Sequence, residues 1–393
     1  MSYTFAVIGS GMQGTAGGYF LARWGKAKKL IMADISLDRA QSAASLINRV
    51  LGSTIAEARK VDASQELELV RLMKDADGVF SATSYELNLG ITKAAITART
   101  CLVDLGGNTD VVLAQMKLHE HALEANVSII PDCGLAPGLG NTLGALGISE
   151  LDECVSVQIR CGGLPQNPKP PLNYKLVFSV KGLTNEYFGK ANLLRNGEIT
   201  TVDTFSEVEE LEFDAPVGKC EAFVTLGGTS TAPWTFKNTV KNYDYKTVRY
   251  PGHYEKMKCI LDLGLLDTRP IEIESSDGGK KVEIAPRDVF HAVAPSKLSF
   301  PEDQDLVVLR ATCVGKKDGK AVNLVYDLMD FHDKVTGFSA MERCTSYPAA
   351  LVLVHAVSNR AKKGVTPLET AIDNKSYVRE LVATGLRIQE KRS

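Results

Sequence analysis

A glycine pattern set between an apolar segment and a helical one constrains this chain most strongly. Tyr3–Ile8 is apolar, and Gly-Ser-Gly-Met-Gln-Gly follows at residues 9–14, where a helical segment over Met12–Trp24 begins. In this context the first glycine permits a tight turn, the second lets backbone approach a pyrophosphate, and the third lets the helix pack on the strand. Unpaired N–H groups at the helix start favour an anion. The pattern predicts a dinucleotide site.

Strand-like and helix-like segments alternate through the first 131 residues. Strand character appears at 3–8, 29–34, 57–61, 77–82, 101–105 and 127–131, and helical character at 12–24, 36–51, 65–74, 86–98 and 110–125. Such alternation is typical of a doubly wound parallel sheet with helices on both faces. The sequence therefore predicts an α/β protein whose first domain, residues 1–131, is a Rossmann domain.

Asp34 predicts which dinucleotide is bound. It ends the second predicted strand, 20 residues after Gly14. A carboxylate at this place accepts hydrogen bonds from the adenosine ribose hydroxyls and repels a 2′-phosphate. Ile35 follows, so no arginine stands there to hold a phosphate, although Arg39 one turn later leaves NADP open. We predict NAD as the cofactor.

Two further segments are predicted to contact the cofactor. Asp62 follows the third strand and is placed to approach the adenine, although an ordinary loop aspartate is an equal alternative. Ala82 and Thr83, at the end of the fourth strand, complete the set. The residues predicted to bind NAD are Gly9, Ser10, Gly11, Met12, Gln13, Gly14, Asp34, Asp62, Ala82 and Thr83.

The pattern changes after residue 131. A glycine-rich segment at 132–141 opens a helix in which Gly140, Gly144 and Gly147 leave one face thin for close packing. From residue 153 on, apolar and polar residues alternate, and Asp-Gly turns at 275–280 and 316–322 predict two hairpins. We expect a largely antiparallel sheet over roughly 151–335, followed by C-terminal helices at 336–393 that pack back on the first domain.

Composition excludes several classes of protein. The 393 residues are 44% hydrophobic and 23% charged, with a formal net charge of −2. No apolar run reaches the ~18 residues of a membrane span, no basic block suggests nucleic acid, and the first residues lack the basic segment of a signal peptide. The eight cysteines show neither a CxxC pair nor zinc spacing. We expect reduced thiols, a cytoplasmic protein and no metal site.

Several motifs together resemble the saccharopine dehydrogenase-like family. They are the glycine pattern with Asp34, DLGGN at 104–108, DCGLAPG at 132–138, GGLP at 162–165, RYPGH at 249–253 and AMER at 340–343. Within the family the match resembles the lysine 6-dehydrogenases most. This likeness implies a Rossmann domain, a second mixed α/β domain at 132–335 that carries substrate contacts and the dimer interface, and a homodimer.

The resemblance also implies an activity, the NAD-linked oxidative deamination of the L-lysine ε-amine. The product is the 6-semialdehyde, which cyclises to piperideine-6-carboxylate. Saccharopine dehydrogenase and carboxynorspermidine dehydrogenase, which act on secondary amines, are alternatives; the former needs extra positive groups, and the sequence shows no clear arginine cluster. An enzyme that cyclises an amino acid while holding NAD, and a non-catalytic NAD sensor, are further alternatives.

Three residues are predicted to be catalytic. The amine must be neutral before its nitrogen lone pair expels a hydride, so the site must accept a proton. Asp104 and Asp132 end the fifth and sixth strands, at the edge where the cofactor lies. His253 stands in a segment of polar and aromatic residues where a titrating imidazole is useful. The alternatives are a helix cap for Asp104, a brace of the glycine-rich segment for Asp132, and a packed or solvated loop residue for His253.

Four residues are predicted to bind the amino-acid substrate. The guanidinium fork of Arg249 matches an α-carboxylate, and Arg310 is a second residue of this kind. Asn108 is predicted to bond the nicotinamide carboxamide or the substrate, and Tyr174 to wall the pocket. Each has a plain alternative, namely a surface arginine, a turn or cap residue, or a core aromatic ring.

Overall fold

The structure, a computed structural model, describes residues 1–274, 279 and 281–393. Strands and helices alternate in its first part. In chain order they are β1 (Tyr3–Ile8), α1 (Met12–Trp24), β2 (Ala27–Asp34), α2 (Leu37–Leu51), β3 (Ala56–Lys60), α3 (Glu66–Lys74), β4 (Gly78–Ser81), α4 (Asn88–Ala98), β5 (Cys101–Asp104), α5 (Thr109–Met116), α6 (His119–Glu124) and β6 (Ser128–Ile130). A 3-10 turn at Tyr85–Leu87 precedes α4.

Strands dominate the middle of the chain, and helices return at its end. The elements are α7 (Leu139–Glu150), β7 (Glu153–Pro165), α8 (Val180–Glu186), β8 (Lys190–Arg195), β9 (Glu198–Asp203), β10 (Glu209–Phe213), β11 (Gly218–Val224), α9 (Ala232–Thr235), β12 (Asn242–Arg249), α10 (His253–Asp262), β13 (Ile271–Glu274), β14 (Lys281–Ile284), α11 (Pro286–Leu298), β15 (Asp305–Lys317), β16 (Lys320–Phe331), α12 (Ala340–Val357), β17 (Gly364–Val365), α13 (Leu368–Ala371), α14 (Asn374–Ala383) and β18 (Ile388–Arg392).

The first sheet is parallel throughout its described strands. Its order is β17-β6-β5-β4-β1-β2-β3, which confirms the predicted doubly wound sheet. The chain runs outward from β1 to β3, crosses back, and runs outward again from β4 to β6. Ligands of such sheets bind at the carboxyl edge where the strand order reverses. Here that point lies between β1 and β4, directly at the glycine loop.

Two features of this part differ from expectation. The helix predicted over 110–125 is divided into α5 and α6, because the chain tightens at Leu118, whose N–H bonds the Gln115 carbonyl three residues back. In addition, β17 from the far end of the chain pairs with β6 at the edge of the sheet. A two-residue strand shows no alternation of apolar and polar residues, so the sequence pattern does not reveal it.

The second sheet is mixed and mostly antiparallel, as predicted. Its order is β10-β11-β12-β7-β15-β16-β18, with β8 pairing β12 and β9, and β12 runs parallel to β7. Asp318 and Gly319 form the predicted turn between β15 and β16. The turn predicted at 275–280 lies outside the described residues apart from residue 279, while β13 and β14 on either side pair antiparallel.

Helix α7 packs on this sheet through the predicted glycine face. A Cβ at Gly140 would lie 2.9 Å from the Ile159 side chain, and one at Gly147 would lie 2.3 Å from Cys313 Sγ. Both distances are shorter than side-chain contacts allow. The glycines therefore let α7 approach β7 and β15 closely, and this seats the glycine-rich segment before α7 against the second domain.

The C-terminal segment contacts both sheets. Helix α12 packs against α1, β4 and β5, and β17 extends the first sheet. By contrast, α13 and α14 pack against α7, and β18 pairs with β16. The sequence predicts only helices here, and only against the first domain. The segment instead ties the two sheets together, and α12 reaches the space between them.

Among the described residues there is neither a membrane-spanning helix nor a disulfide bond. Across 1–274, 279 and 281–393, no helix combines the length and hydropathy that crossing a lipid bilayer requires. The cysteines in these ranges are free thiols, and all except Cys259 are buried.

Candidate active site

The glycine loop leaves room for a ligand at one of its three glycines. Gly9 has φ of +90°, and a Cβ there would lie 2.6 Å from the Ala82 carbonyl oxygen. At Gly14 a Cβ would lie 1.8 Å from the Gly9 oxygen, so these two glycines serve the turn and the packing of α1. A Cβ at Gly11 would meet no atom within 4 Å beyond its chain neighbours, and the φ of Gly11 is −76°. The open side of Gly11 and the uncapped start of α1 fit a pyrophosphate.

Asp34 connects the glycine loop to the end of β2. Its Oδ2 accepts a hydrogen bond from Ser10 N at 2.9 Å, and its Oδ1 accepts one from Ser36 N at 2.9 Å. The carboxylate is 7% exposed, and Arg39 Nη1 lies 3.7 Å from Oδ1. The predicted ribose-binding carboxylate therefore stands beside the loop, with one exposed arginine nearby.

The remaining predicted cofactor residues lie along the same edge. Asp62 lines a cleft of about 660 Å³ beyond β2 and β3, together with Ile35 and Arg71. Its Oδ1 accepts hydrogen bonds from the Ser64 hydroxyl and backbone N–H, which lower the pKa of Asp62. The Ala82 carbonyl faces Gly9, and Thr83 Oγ1 lies 3.1 Å from Ser81 Oγ.

A second cleft, of about 310 Å³, opens between the two sheets. We call it the central cleft. Gln13 of the glycine loop and the Gly106–Gly107 pair line it on the side of the first domain. The second domain contributes residues of α8 and β12, and α12 contributes Met341 and Thr345. Apolar side chains provide much of the wall: Leu105, Leu135, Ala136, Pro137, Phe178 and Met341.

Arg249 is the cation of the central cleft. Arg249 is 2% exposed. Its Nε donates to the Tyr187 hydroxyl at 3.1 Å, and its Nη1 donates to the Val248 carbonyl at 2.9 Å. The ring of Tyr174 lies under the guanidinium, with 4.8 Å between the centroid and Cζ. These contacts hold the guanidinium in one orientation, with its Nη2 near Glu186 at the cleft.

Glu186, which sequence reasoning missed, is the carboxylate of the central cleft. It ends α8, and its Oε2 lies 3.8 Å from Arg249 Nη2. Burial raises the pKa of Glu186 to about 7, and the charge of Arg249 opposes that rise. The side chain is 34% exposed because it faces the cleft. No local motif marks Glu186, since only folding brings it beside Arg249.

His253 does not line the central cleft, and the prediction of a titrating loop histidine is wrong. It is the first residue of α10 and is fully buried. Its Nε2 lies 2.9 Å from the Tyr187 hydroxyl, and its Nδ1 lies 3.1 Å from the Leu172 carbonyl. Burial, with the charge of Arg249, lowers the pKa of His253 to about 3. The neutral imidazole supports Tyr187, which in turn supports Arg249.

This burial predicts a pH dependence of stability. Unfolded His253 gains a proton near pH 6.5, whereas the folded residue gains one only near pH 3. Its contribution to stability is therefore complete above pH 6.5 and declines as pH falls toward 3, by up to about 1.4 kcal/mol per pH unit. We expect urea unfolding at pH 7.5, 6.0 and 5.0 to show a weaker pH dependence for His253→Gln than for the unmodified chain. The exposed His121→Gln is the control, and equal slopes for His253→Gln and the unmodified chain contradict the assignment.

Gly106 and Gly107 form what we call the floor of the central cleft. Asp104 and Asp132 lie behind this floor and do not line the cleft. Asp104 Oδ1 accepts from Gly106 N at 2.8 Å and Asp132 N at 3.1 Å, and its Oδ2 accepts from Gln115 Nε2 at 2.7 Å. Asp132 accepts from the Ser230 hydroxyl and, at 3.3 Å, from Gly107 N. Both predicted catalytic carboxylates therefore accept hydrogen bonds from the backbone of the Gly106–Gly107 floor, and neither lines the cleft.

The two carboxyl groups are electrostatically unusual. Burial raises the pKa of Asp104, and burial together with the charge of Asp104 raises the pKa of Asp132 to about 8. These raised pKa values disfavour two negative charges on the pair, which supports Gly106 and Gly107 through hydrogen bonds.

The other three predicted substrate residues, Asn108, Tyr174 and Arg310, do not line the central cleft. Asn108 caps α5 by accepting from Val111 N at 3.1 Å, and it lines a neighbouring polar cleft of about 270 Å³. Tyr174 is buried beneath Arg249. Arg310 pairs with Asp327 at 2.6 Å and lines a separate cleft, so the structure does not bring it together with Arg249. Its place on the strand directs it away from the central cleft.

Family models match both parts of the chain. The saccharopine dehydrogenase NADP binding domain matches residues 5–130, and the saccharopine dehydrogenase C-terminal domain matches residues 134–386. The chain belongs to the saccharopine dehydrogenase family. This confirms the predicted family. The family implies a pyridine nucleotide as the cofactor, which fits the open side of Gly11 and the start of α1.

Curated relatives are distant in sequence. Mitochondrial alpha-aminoadipic semialdehyde synthase of Mus musculus is 25% identical over 350 residues, covering 73% of this chain and 37% of that protein. Saccharopine dehydrogenase [NADP(+), L-glutamate-forming] of Pyricularia oryzae is 23% identical over 404 residues, covering 84% and 88%. The chain therefore spans well under half the length of the mouse relative.

A similar fold is seen over the whole chain in a solved structure. Apo saccharopine dehydrogenase (L-Glu forming) from Saccharomyces cerevisiae has a TM-score of 0.79 at 20% sequence identity, covering 100% of both chains. At this identity the likeness establishes the two-domain fold alone.

Proposed function

We propose that this chain is an NAD-dependent dehydrogenase that oxidises the ε-amine of L-lysine. The supporting observation is the charge content of the central cleft, which adjoins the glycine loop at Gln13. Among the described residues that line it, Arg249 is the one cation and Glu186 the one carboxylate. Lysine carries one carboxylate for Arg249 to bind, whereas saccharopine carries additional carboxylates that need further cations.

The proposed reaction balances with water as the second substrate. NAD, held at the glycine loop, would supply the hydride acceptor for the carbon that bears the neutral ε-amine. Hydrolysis of the resulting iminium consumes one water and releases ammonia, leaving an aldehyde. Arg249 binds the α-carboxylate, and the apolar wall excludes water from the four-carbon stem.

We further propose NAD rather than NADP, in line with the carboxylate of Asp34 beside the glycine loop. Asp34→Asn keeps the shape and one acceptor for the neighbouring N–H groups but removes the charge that repels a 2′-phosphate. We expect kcat/KM for NADP relative to NAD to rise about 10- to 100-fold. Asp38→Asn, an exposed change four residues away, is the control and leaves the ratio unchanged. An unchanged ratio in Asp34→Asn contradicts this cofactor assignment.

The decisive experiment is NADH absorbance with the full chain, NAD and separate amines at mildly alkaline pH. L-lysine, saccharopine, ornithine and carboxynorspermidine are compared, with NADP in a parallel set. The proposal expects NADH with L-lysine and an equal amount of ammonia. Silence with every amine, combined with tight NAD binding, contradicts it and favours an NAD sensor or an enzyme that retains its NADH.

A saccharopine dehydrogenase is the second candidate, because the matching family models and the fungal relative carry that name. Such an enzyme cleaves or forms a secondary amine and releases no ammonia. In the same assay it is recognised by NADH or NADPH formation with saccharopine but not with L-lysine. That outcome requires a second carboxylate site, for which Lys190 in the polar cleft beyond Gly107 is the first residue to replace.

A further inference from the structure

Two opposite charges stand side by side at the central cleft without a hydrogen bond between them. Arg249 Nη2 and Glu186 Oε2 are 3.8 Å apart, beyond the length of an ordinary hydrogen bond. Arg249 uses Nε and Nη1 for protein partners. Within the described ranges, neither its Nη2 nor the Glu186 carboxylate has a hydrogen-bond partner, and the 3.8 Å ion pair between them is the interaction they share. One donor and one acceptor group thus remain for a ligand.

An α-amino acid carries the complementary pair of charges on a single carbon. Its carboxylate matches a guanidinium edge, and its ammonium matches a carboxylate such as that of Glu186. Because both protein groups are held on the second domain, a ligand bound there presents its side chain to the remainder of the cleft. That remainder is the apolar wall and the Gly106–Gly107 floor.

We propose that Glu186 and Arg249 together bind the zwitterionic α-carbon of the substrate, and that Glu186 selects for the α-ammonium group. The inference takes its substrate class from the proposed function. It makes Glu186 a specificity residue rather than the base for the reacting amine, since a four-carbon stem separates the two ends of lysine. Simple diamines lack the carboxylate, and ω-amino acids lack an ammonium on the carbon that bears the carboxylate, so both are disfavoured.

The test compares two ligands without a reacting amine. L-norleucine carries the zwitterionic carbon and an apolar stem, whereas hexanoate carries the carboxylate alone. Calorimetry uses the full chain saturated with NAD. We expect the unmodified chain to bind L-norleucine at least about tenfold more tightly than hexanoate, since a charge-assisted hydrogen bond contributes about this factor.

Glu186→Gln then isolates the carboxylate. We expect L-norleucine to bind about 10- to 100-fold more weakly, while hexanoate binds equally or more tightly because a neighbouring negative charge is removed. Glu255→Gln, the same change at an exposed position of α10, leaves both affinities unchanged. Glu186→Asp, which retains the charge, restores part of the preference and serves if the glutamine variant does not fold.

Each contrary result has a distinct meaning. Equal weakening of both ligands in Glu186→Gln indicates a structural role and overturns the inference. So does an unmodified chain that binds the two ligands equally or binds neither. Because L-norleucine has no ε-amine, these results do not depend on oxidation. Failure of the proposed function is seen separately, as absent NADH formation with L-lysine.

Discussion

Gly11→Val is expected to abolish dinucleotide binding while leaving the fold intact. No atom lies within 4 Å of a Cβ at this position, and φ of −76° suits any residue, so the folded chain accepts the side chain. The valine instead occupies the space where a pyrophosphate approaches the start of α1. We expect NAD affinity to fall at least about 100-fold, measured by calorimetry, with an unchanged midpoint of thermal unfolding.

The control for this result is a glycine with equal free space elsewhere. Gly90, exposed on α4, also has no atom within 4 Å of its Cβ position. Gly90→Val is expected to bind NAD as the unmodified chain does. Full NAD affinity in Gly11→Val would place the dinucleotide away from the glycine loop. A large drop in stability would instead show that Gly11 serves packing, as Gly9 and Gly14 do.

Arg249→Met is expected to give the second large effect, on substrate rather than cofactor. The change removes the cation of the central cleft and keeps an apolar side chain against the Tyr174 ring. Loss of the buried, oriented guanidinium removes its positive charge and the charge-assisted hydrogen bonding that its free Nη2 group offers to the α-carboxylate. We expect kcat/KM for L-lysine to fall about 100- to 1,000-fold, mostly through KM, while NAD affinity changes by less than about twofold.

Arg310→Met is the matched control, because the same substitution then falls in a separate cleft. Arg310 is paired with Asp327 and lies away from the central cleft. Its variant is expected to retain lysine kinetics close to those of the unmodified chain. The opposite pattern, with a large loss at Arg310 and none at Arg249, would move the substrate site to the other side of the second sheet.

Elements with a strong local pattern are the ones that sequence reasoning predicts well. β1, the glycine loop and α1 follow one another in the chain, and each has a signature of its own: an apolar run, a spacing of glycines and a helical segment. Their contacts are local, so neighbours in sequence are neighbours in space. The Asp318-Gly319 hairpin is predicted for the same reason.

The arrangement of residues around the central cleft follows from the sequence only in part, and the differences share one cause. The guanidinium of Arg249 by itself indicates an anion site, whereas its partner Glu186 lies 63 positions earlier, at the end of a short helix without a motif. The sequence neighbours of His253 indicate a loop, but α10 buries it against Tyr187 and Leu172. Burial and ion pairing depend on contacts between distant segments, and a single sequence does not display those contacts.

The sequence by itself determines the doubly wound sheet, the glycine loop, the acidic end of β2 and the family to which this chain belongs. These rest on periodicity and on short spacings, which act over a few residues. Only the tertiary structure decides that Asp104 and Asp132 brace a floor, that Arg310 faces away, and that Glu186 meets Arg249 at the cleft. The reason is physical: the charge state and reach of a side chain are set by desolvation and by neighbours that packing brings in from other parts of the chain.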